Sequence, residues 1–125
     1  MGRIFYHPSL SKNQNKMEGA ALAEARFHEG EAHLESGRYA AAEQCLLEAY
    51  RVYQSAVGAN GEMSGRTIGT LGAVYLQMGR LEEATNAYKD SLRIYRNIEG
   101  ERGPNSGNIL INIGNALIMQ VNAMM

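Results

Sequence analysis

Three histidines, one cysteine and thirteen carboxylates are the side chains with which this chain could bind a metal or perform catalysis. Either task needs them grouped. His28 and His33 are five residues apart, a spacing that points them to different sides of a helix, and His7 lies far away in sequence. Cys45 sits in Glu43-Gln44-Cys45-Leu46-Leu47 with no histidine close by in sequence to take its proton. That setting, the middle of a helix, predicts a buried structural thiol. The glutamates are spread as solvated helix faces are, not gathered as an acid/base pair. Gly58-Ala59-Asn60-Gly61 lacks the Lys-Ser/Thr that would make a glycine turn into a phosphate cradle. No catalytic residue, metal site or cofactor is expected, and an enzyme is not the reading these residues favour.

The elements that carry these side chains are read from composition and period. At 125 residues the chain is one domain, 45% hydrophobic and 20% charged, which is ordinary for a folded protein. Twelve basic against thirteen acidic residues leave a net charge of -1. Such a balance gives no long-range field for nucleic acid or an anionic membrane, and little repulsion between copies. One cysteine rules out an intramolecular disulfide framework and is compatible with a reducing compartment. No apolar run approaches the roughly 18 residues needed to span a bilayer. The first residues lack the apolar core of a secretion signal, and Tyr6 stands where a myristoylation signal needs Ser or Thr. A cytoplasmic location is the default expectation.

Residues 1–16 read as a flexible leader, polar after Ile4-Phe5-Tyr6, a cluster that could alternatively dock on an apolar surface. Residues 17–125 read as one helical domain. Apolar residues recurring at three and four predict helices over about 17–36, 39–57, 64–78 and 81–98, with a fifth starting near Asn105 or Ser106. Ser36-Gly37, Gly58-Ala59-Asn60-Gly61, Met78-Gly79 and Gly100 to Pro104 separate them. Links this short make neighbouring helices antiparallel.

A shift of 42 residues lays the chain on itself. Gly30 falls on Gly72, Gly37 on Gly79, Arg38 on Arg80, Ala42 on Ala84, Tyr53 on Tyr95 and Gly58 on Gly100. Gly114 then falls under Gly72, with Leu110 and Ile113 under Ile68 and Leu71. Repeat 1 covers about 17–58, repeat 2 about 64–100 and a partial repeat 3 about 105–121. Glycine inside a helix costs about 1 kcal/mol relative to alanine. Gly30, Gly72 and Gly114 therefore predict close helix approach, whereas Gly37 and Gly79 predict bends.

Ile68…Leu71-Gly72…Tyr75…Gly79…Ala84…Tyr88 resembles the signature of the tetratricopeptide repeat family, with Ile for the usual leading Trp, Tyr for Phe, and Ser91 where Ala is usual. The 42-residue length and the run Ser91-Leu92-Arg93-Ile94-Tyr95…Pro104…Asn112-Ile113-Gly114 resemble the kinesin-light-chain subclass. Repeat 1 departs from the pattern at Arg26 and His33, and Val121 replaces the bend glycine of repeat 3. The resemblance implies an all-α fold of tetratricopeptide-like helical hairpins in a short right-handed superhelical solenoid. It also implies that the first helix of each repeat lines a concave, peptide-binding groove. The family's groove positions fall on Glu24, Phe27, Glu31, Leu34 and Glu35 in repeat 1, and on Arg66, Gly69, Ala73, Leu76 and Gln77 in repeat 2. In repeat 3 they fall on Asn108, Ile111, Asn115, Ile118 and Met119, with Asn112 beside them. An asparagine amide suits this task because it pairs with both N–H and C=O of an extended backbone. Asn112 and Asn115 could equally be solvated residues near a frayed end.

The expected partner is a protein or peptide, with no nucleic acid and no membrane. Glu24, Glu31 and Glu35 would repel an acidic tail, so a mixed hydrophobic and basic segment fits better. The fifth helix is apolar on more than one face, and repeat arrays need a polar end to stay soluble. Leu110, Ile113, Leu117 and Val121 are accordingly candidate self-association residues, either across a two-fold axis in a homodimer or against further repeats of a longer array.

Overall fold

The computed structural model describes residues 8, 9, 11–56, 58 and 60–125, so His7 and the Ile4-Phe5-Tyr6 cluster lie outside the described residues. Helix α1 spans Lys12–Glu35, starting before the apolar pattern predicts. The reason is local. Ser11 Oγ accepts from the Gln14 N–H at 3.2 Å while the Gln14 side chain accepts from the Ser11 N–H at 2.9 Å. This reciprocal pair satisfies two donors at the helix start. Residues 12–16, expected in the leader, thus form part of a helix, and Asn15 is buried.

Helices α2 (Tyr39–Ala56), α3 (Glu62–Gln77), α4 (Leu81–Glu99) and α5 (Pro104–Met124) follow, each packing on the one before. The bends after α1 and α3 are built alike. Gly37 and Gly79 adopt φ of 77° and 74°, a left-handed conformation cheap only for glycine. In each, the glycine N–H and the next N–H turn back onto the helix: Gly37 to Leu34 O and Arg38 to His33 O, then Gly79 to Leu76 O and Arg80 to Tyr75 O. The inter-repeat links also superpose at 42 residues. Ser64 Oγ donates to Gly58 O at 3.0 Å, and Ser106 Oγ to Gly100 O at 3.0 Å. At Val121 there is no bend, and α5 continues to Met124.

Two buried clusters form the core. Ala23, Phe27, Leu46, Val52, Tyr53, Leu71 and Val74 join α1, α2 and α3; Ala84, Tyr88, Leu92, Tyr95 and Ile109 join α4 to α5. A Cβ on Gly30 would lie 2.6 Å from Leu46 Cγ, and one on Gly72 2.8 Å from the Tyr88 ring. Both glycines mark the close approaches that the repeat predicts. Gly114 does not: its Cβ would meet nothing within 4 Å. Among the described residues, no helix crowds Gly114 as α2 crowds Gly30 and α4 crowds Gly72.

Polar residues that depart from the apolar pattern hold the helix pairs together. Arg26 ties α1 to α2 through Glu48 at 3.0 Å and also pairs with Glu29 on its own helix. Ser91 Oγ donates to Gly65 O at 2.7 Å in the buried α3–α4 crossing. Arg80 stacks on Tyr75 and reaches Glu43 of α2 at 3.0 Å, linking the repeats. Arg38, at the same place in repeat 1, instead donates to His33 Nδ1 at 3.0 Å. Among the described residues, no helix is long and apolar enough to cross a membrane.

Candidate functional site

The α1, α3 and α5 helices flank an open groove of about 380 Å³. Glu31 and Leu34 supply one wall from α1; Arg66, Gly69, Thr70 and Ala73 line it from α3; Asn105, Asn108 and Asn112 close the far side from α5. Its floor is α4, which contributes Tyr88, Ser91 and Tyr95. Gly65 and Gly69 bring α4 this close, since a Cβ at either would lie 2.9 Å from Ile94 or Ser91. Burial raises the Tyr88 and Tyr95 phenols above their ordinary range, with Glu62 and Glu99 adding to the effect at Tyr95 and Arg66 opposing it. Both floor phenols therefore stay protonated near neutral pH.

Charge in the groove is nearly cancelled. Arg66 approaches Glu31 at 3.6 Å and lies over the Phe27 ring at 4.8 Å. His28 is 3.3 Å from Glu31 and 3.6 Å from Glu24 on the same helix. Pairs this exposed are worth about 1 kcal/mol or less, so they orient side chains more than they stabilise the fold.

Seven of the expected groove residues come together: Glu31, Leu34, Arg66, Gly69, Ala73, Asn108 and Asn112. Phe27 does not line the groove. Its side chain is fully buried in the α1–α3 core, leaving only a ring face beneath Arg66. Glu24 lines a neighbouring hollow with Ala20, His28, Tyr53, Met63 and Arg66. Leu76 packs on the core beside Tyr88, while Glu35, Gln77, Asn115 and Met119 are exposed outside the groove wall. Ile118 turns to a separate apolar hollow with Leu117, Val121 and Asn122, and Ile111 is 62% exposed and lines no part of the groove. Of the self-association candidates, Ile113 is half-buried against the α4–α5 core, whereas Leu110, Leu117 and Val121 are exposed.

The floor residues Tyr88, Ser91 and Tyr95 escape sequence reasoning because they belong to the second helix of a repeat. Asn105 is within its reach: it precedes Asn108 by three residues and Asn112 by seven, one face of a helix. Its amide donates to Glu99 at 3.3 Å. Asn108, Asn112 and Asn115 have side-chain amides with no partner among the described residues. On the opposite side, Cys45 is half-buried rather than buried, its thiol 3.8 Å from Glu29. Burial and the Glu29 charge both raise its pKa, which keeps it a protonated, weak nucleophile. Among the described residues no three His, Cys, Asp or Glu side chains could hold a metal together.

Two overlapping stretches, residues 20–97 and 64–122, match the tetratricopeptide repeat family. The chain belongs to that family. The second match begins 44 residues after the first, close to one repeat. No curated protein matches the chain significantly. Tetratricopeptide repeats generally mediate protein–protein interaction and form a non-catalytic module. The five helices and their consecutive packing are the helical-hairpin architecture expected of tetratricopeptide repeats.

Proposed function

We propose that the groove between α1, α3 and α5 holds an extended segment of a partner protein. The carrying observation is the row of unpartnered amides at Asn108, Asn112 and Asn115, the first two on the wall opposite Leu34 and Ala73. Asn108 and Asn112 are placed to pair with a ligand's backbone, and Asn115 extends the row at its edge. Leu34, Ala73 and the Tyr88 and Tyr95 rings offer apolar contact, and the Tyr phenols add donors. The Glu31–Arg66 pair leaves little net charge, while Glu24 and Glu35 beside the groove disfavour an acidic tail. A neutral to basic peptide with spaced apolar side chains is the ligand class that fits. The 42-residue spacing supports a kinesin-light-chain-like subclass, and a cytoplasmic setting accords with the half-buried free thiol.

Titration of a library of such peptides by fluorescence anisotropy tests this reading. Asn112→Ala should weaken the best binder about tenfold, the loss of roughly one bidentate amide contact. Equal affinity for the variant, or preference for acidic peptides, would count against the groove. A second reading, assembly through α5, is favoured by the exposure of Leu110, Leu117 and Val121.

A further inference from the structure

The outer face of α5 combines three properties found together on no other helix. From Pro104 to Met125 there is no charged residue. Its exposed apolar groups recur as a heptad, with Gly107, Gly114 and Val121 on the centre line and Leu110, Ile111, Leu117 and Ile118 beside them. A Cβ on Gly107 or Gly114 would meet nothing within 4 Å. The matching places in α3, Gly65 and Gly72, are filled by Ile94 and Tyr95 and by Tyr88 of α4. The α5 face is thus shaped to receive a helix at short range.

We propose that the helix received is α5 of a second copy, antiparallel, with the two-fold axis at Gly114. This deepens the assembly reading and rests on it. A two-fold contact sets a surface against itself, so any net charge on it is repelled. Here there is none. The antiparallel register is also complementary in size: Gly107 faces Val121 of the partner subunit, Leu110 faces Ile118 of the partner subunit, and the two Gly114 backbones cross. One helix-on-helix contact lies at the small end of stable interfaces, so the dissociation constant should be on the order of micromolar.

The test is sedimentation velocity of the full chain over a wide concentration range, with Gly114→Ala alongside. Because the alanine Cβ has open space in one protomer, the variant folds. The expected result is a mass rising to twice 13.7 kDa for the wild type, and dimerisation at least tenfold weaker in the variant. In a Cys45→Ser background that keeps Gly114, the double variant Leu110→Cys/Ile118→Cys should form disulfides between copies on mild oxidation, since the register sets these exposed positions opposite each other. A wild-type mass that stays at 13.7 kDa at every concentration overturns both the proposal and the assembly reading. A dimer that Gly114→Ala leaves unchanged, with no disulfide between positions 110 and 118, overturns this register alone and leaves assembly by another face standing.

Discussion

Gly65 and Gly72 in α3, and Gly107 and Gly114 in α5, share a residue type and a place in the 42-residue repeat, yet their surroundings are opposite. In α3 both glycines are pressed against α4, Gly65 by Ile94 and Gly72 by Tyr88, whereas Gly107 and Gly114 face open space. Gly30 of α1, one repeat before Gly72, is crowded in the same way by Leu46. Glycine in mid-helix is unfavourable wherever it occurs. In α1 and α3 that cost is offset by a neighbouring helix at close range; in α5 nothing among the described residues offsets it. The difference separates two things that a repeat pattern merges: the shape a helix offers, and the neighbour that uses it.

Substitutions at these close approaches and at α5 should differ in sign and size. Leu46 is wholly buried and fills the space over Gly30, so Leu46→Ala should cost about 2–5 kcal/mol in chemical denaturation. Gly72→Ala forces a methyl against the Tyr88 ring, and a net loss of about 1–3 kcal/mol is expected from overpacking, despite the better helix former. Gly114→Ala should have the opposite sign, raising protomer stability by up to about 1 kcal/mol when thermal unfolding is followed at low concentration. A loss at Gly114 as large as that at Gly72 would mean that α5 is already covered within the protomer.

The smallest effect concerns how α5 is tethered. Gly103 offers no side-chain cap, and Glu99 of α4 accepts from the Ser106 N–H at 2.7 Å instead. Burial works against the Glu99 charge, but the bonds from Ser106 and Asn105 outweigh it and hold the carboxyl below its ordinary range. With the folded pKa lowered, the unfolded chain takes up the proton first as pH falls. The contribution of Glu99 is therefore present above about pH 4.3 and lost as pH drops through the folded value. Stability of Glu99→Gln measured against the wild type should show a difference that shrinks across that acid range. A constant difference would show that the bonded carboxylate does not anchor α5.

Much of this architecture is legible in the sequence because the repeat states it twice. The bends at Gly37 and Gly79, and the close approaches at Gly30 and Gly72, are all readable from coincident glycines. The start of α1 is not, because Ser11 and Gln14 act through a reciprocal cap that no apolar period signals. The groove is less legible than the fold. Phe27 holds a groove position by register, yet its ring is covered by core neighbours, and register alone does not say which side of a large side chain is exposed. Ile111 and Ile118 hold groove positions by the same register, but a turn of about 100° per residue carries them to the outer face. Asn108 is placed at the groove only by the family's register, with Asn112 beside it, and both do line the groove wall.

The proposed hold of α5's asparagines on an extended peptide has a direct readout. Side-chain amide resonances of Asn108 and Asn112, followed while a neutral to basic peptide with spaced apolar residues is added, test it most directly. The account predicts saturable shifts at both amides and at the Gly69 and Ala73 backbone, with the Cys45 region unmoved. Shifts confined to Leu117, Ile118 and Val121, or to the α2 surface around Cys45, would contradict it.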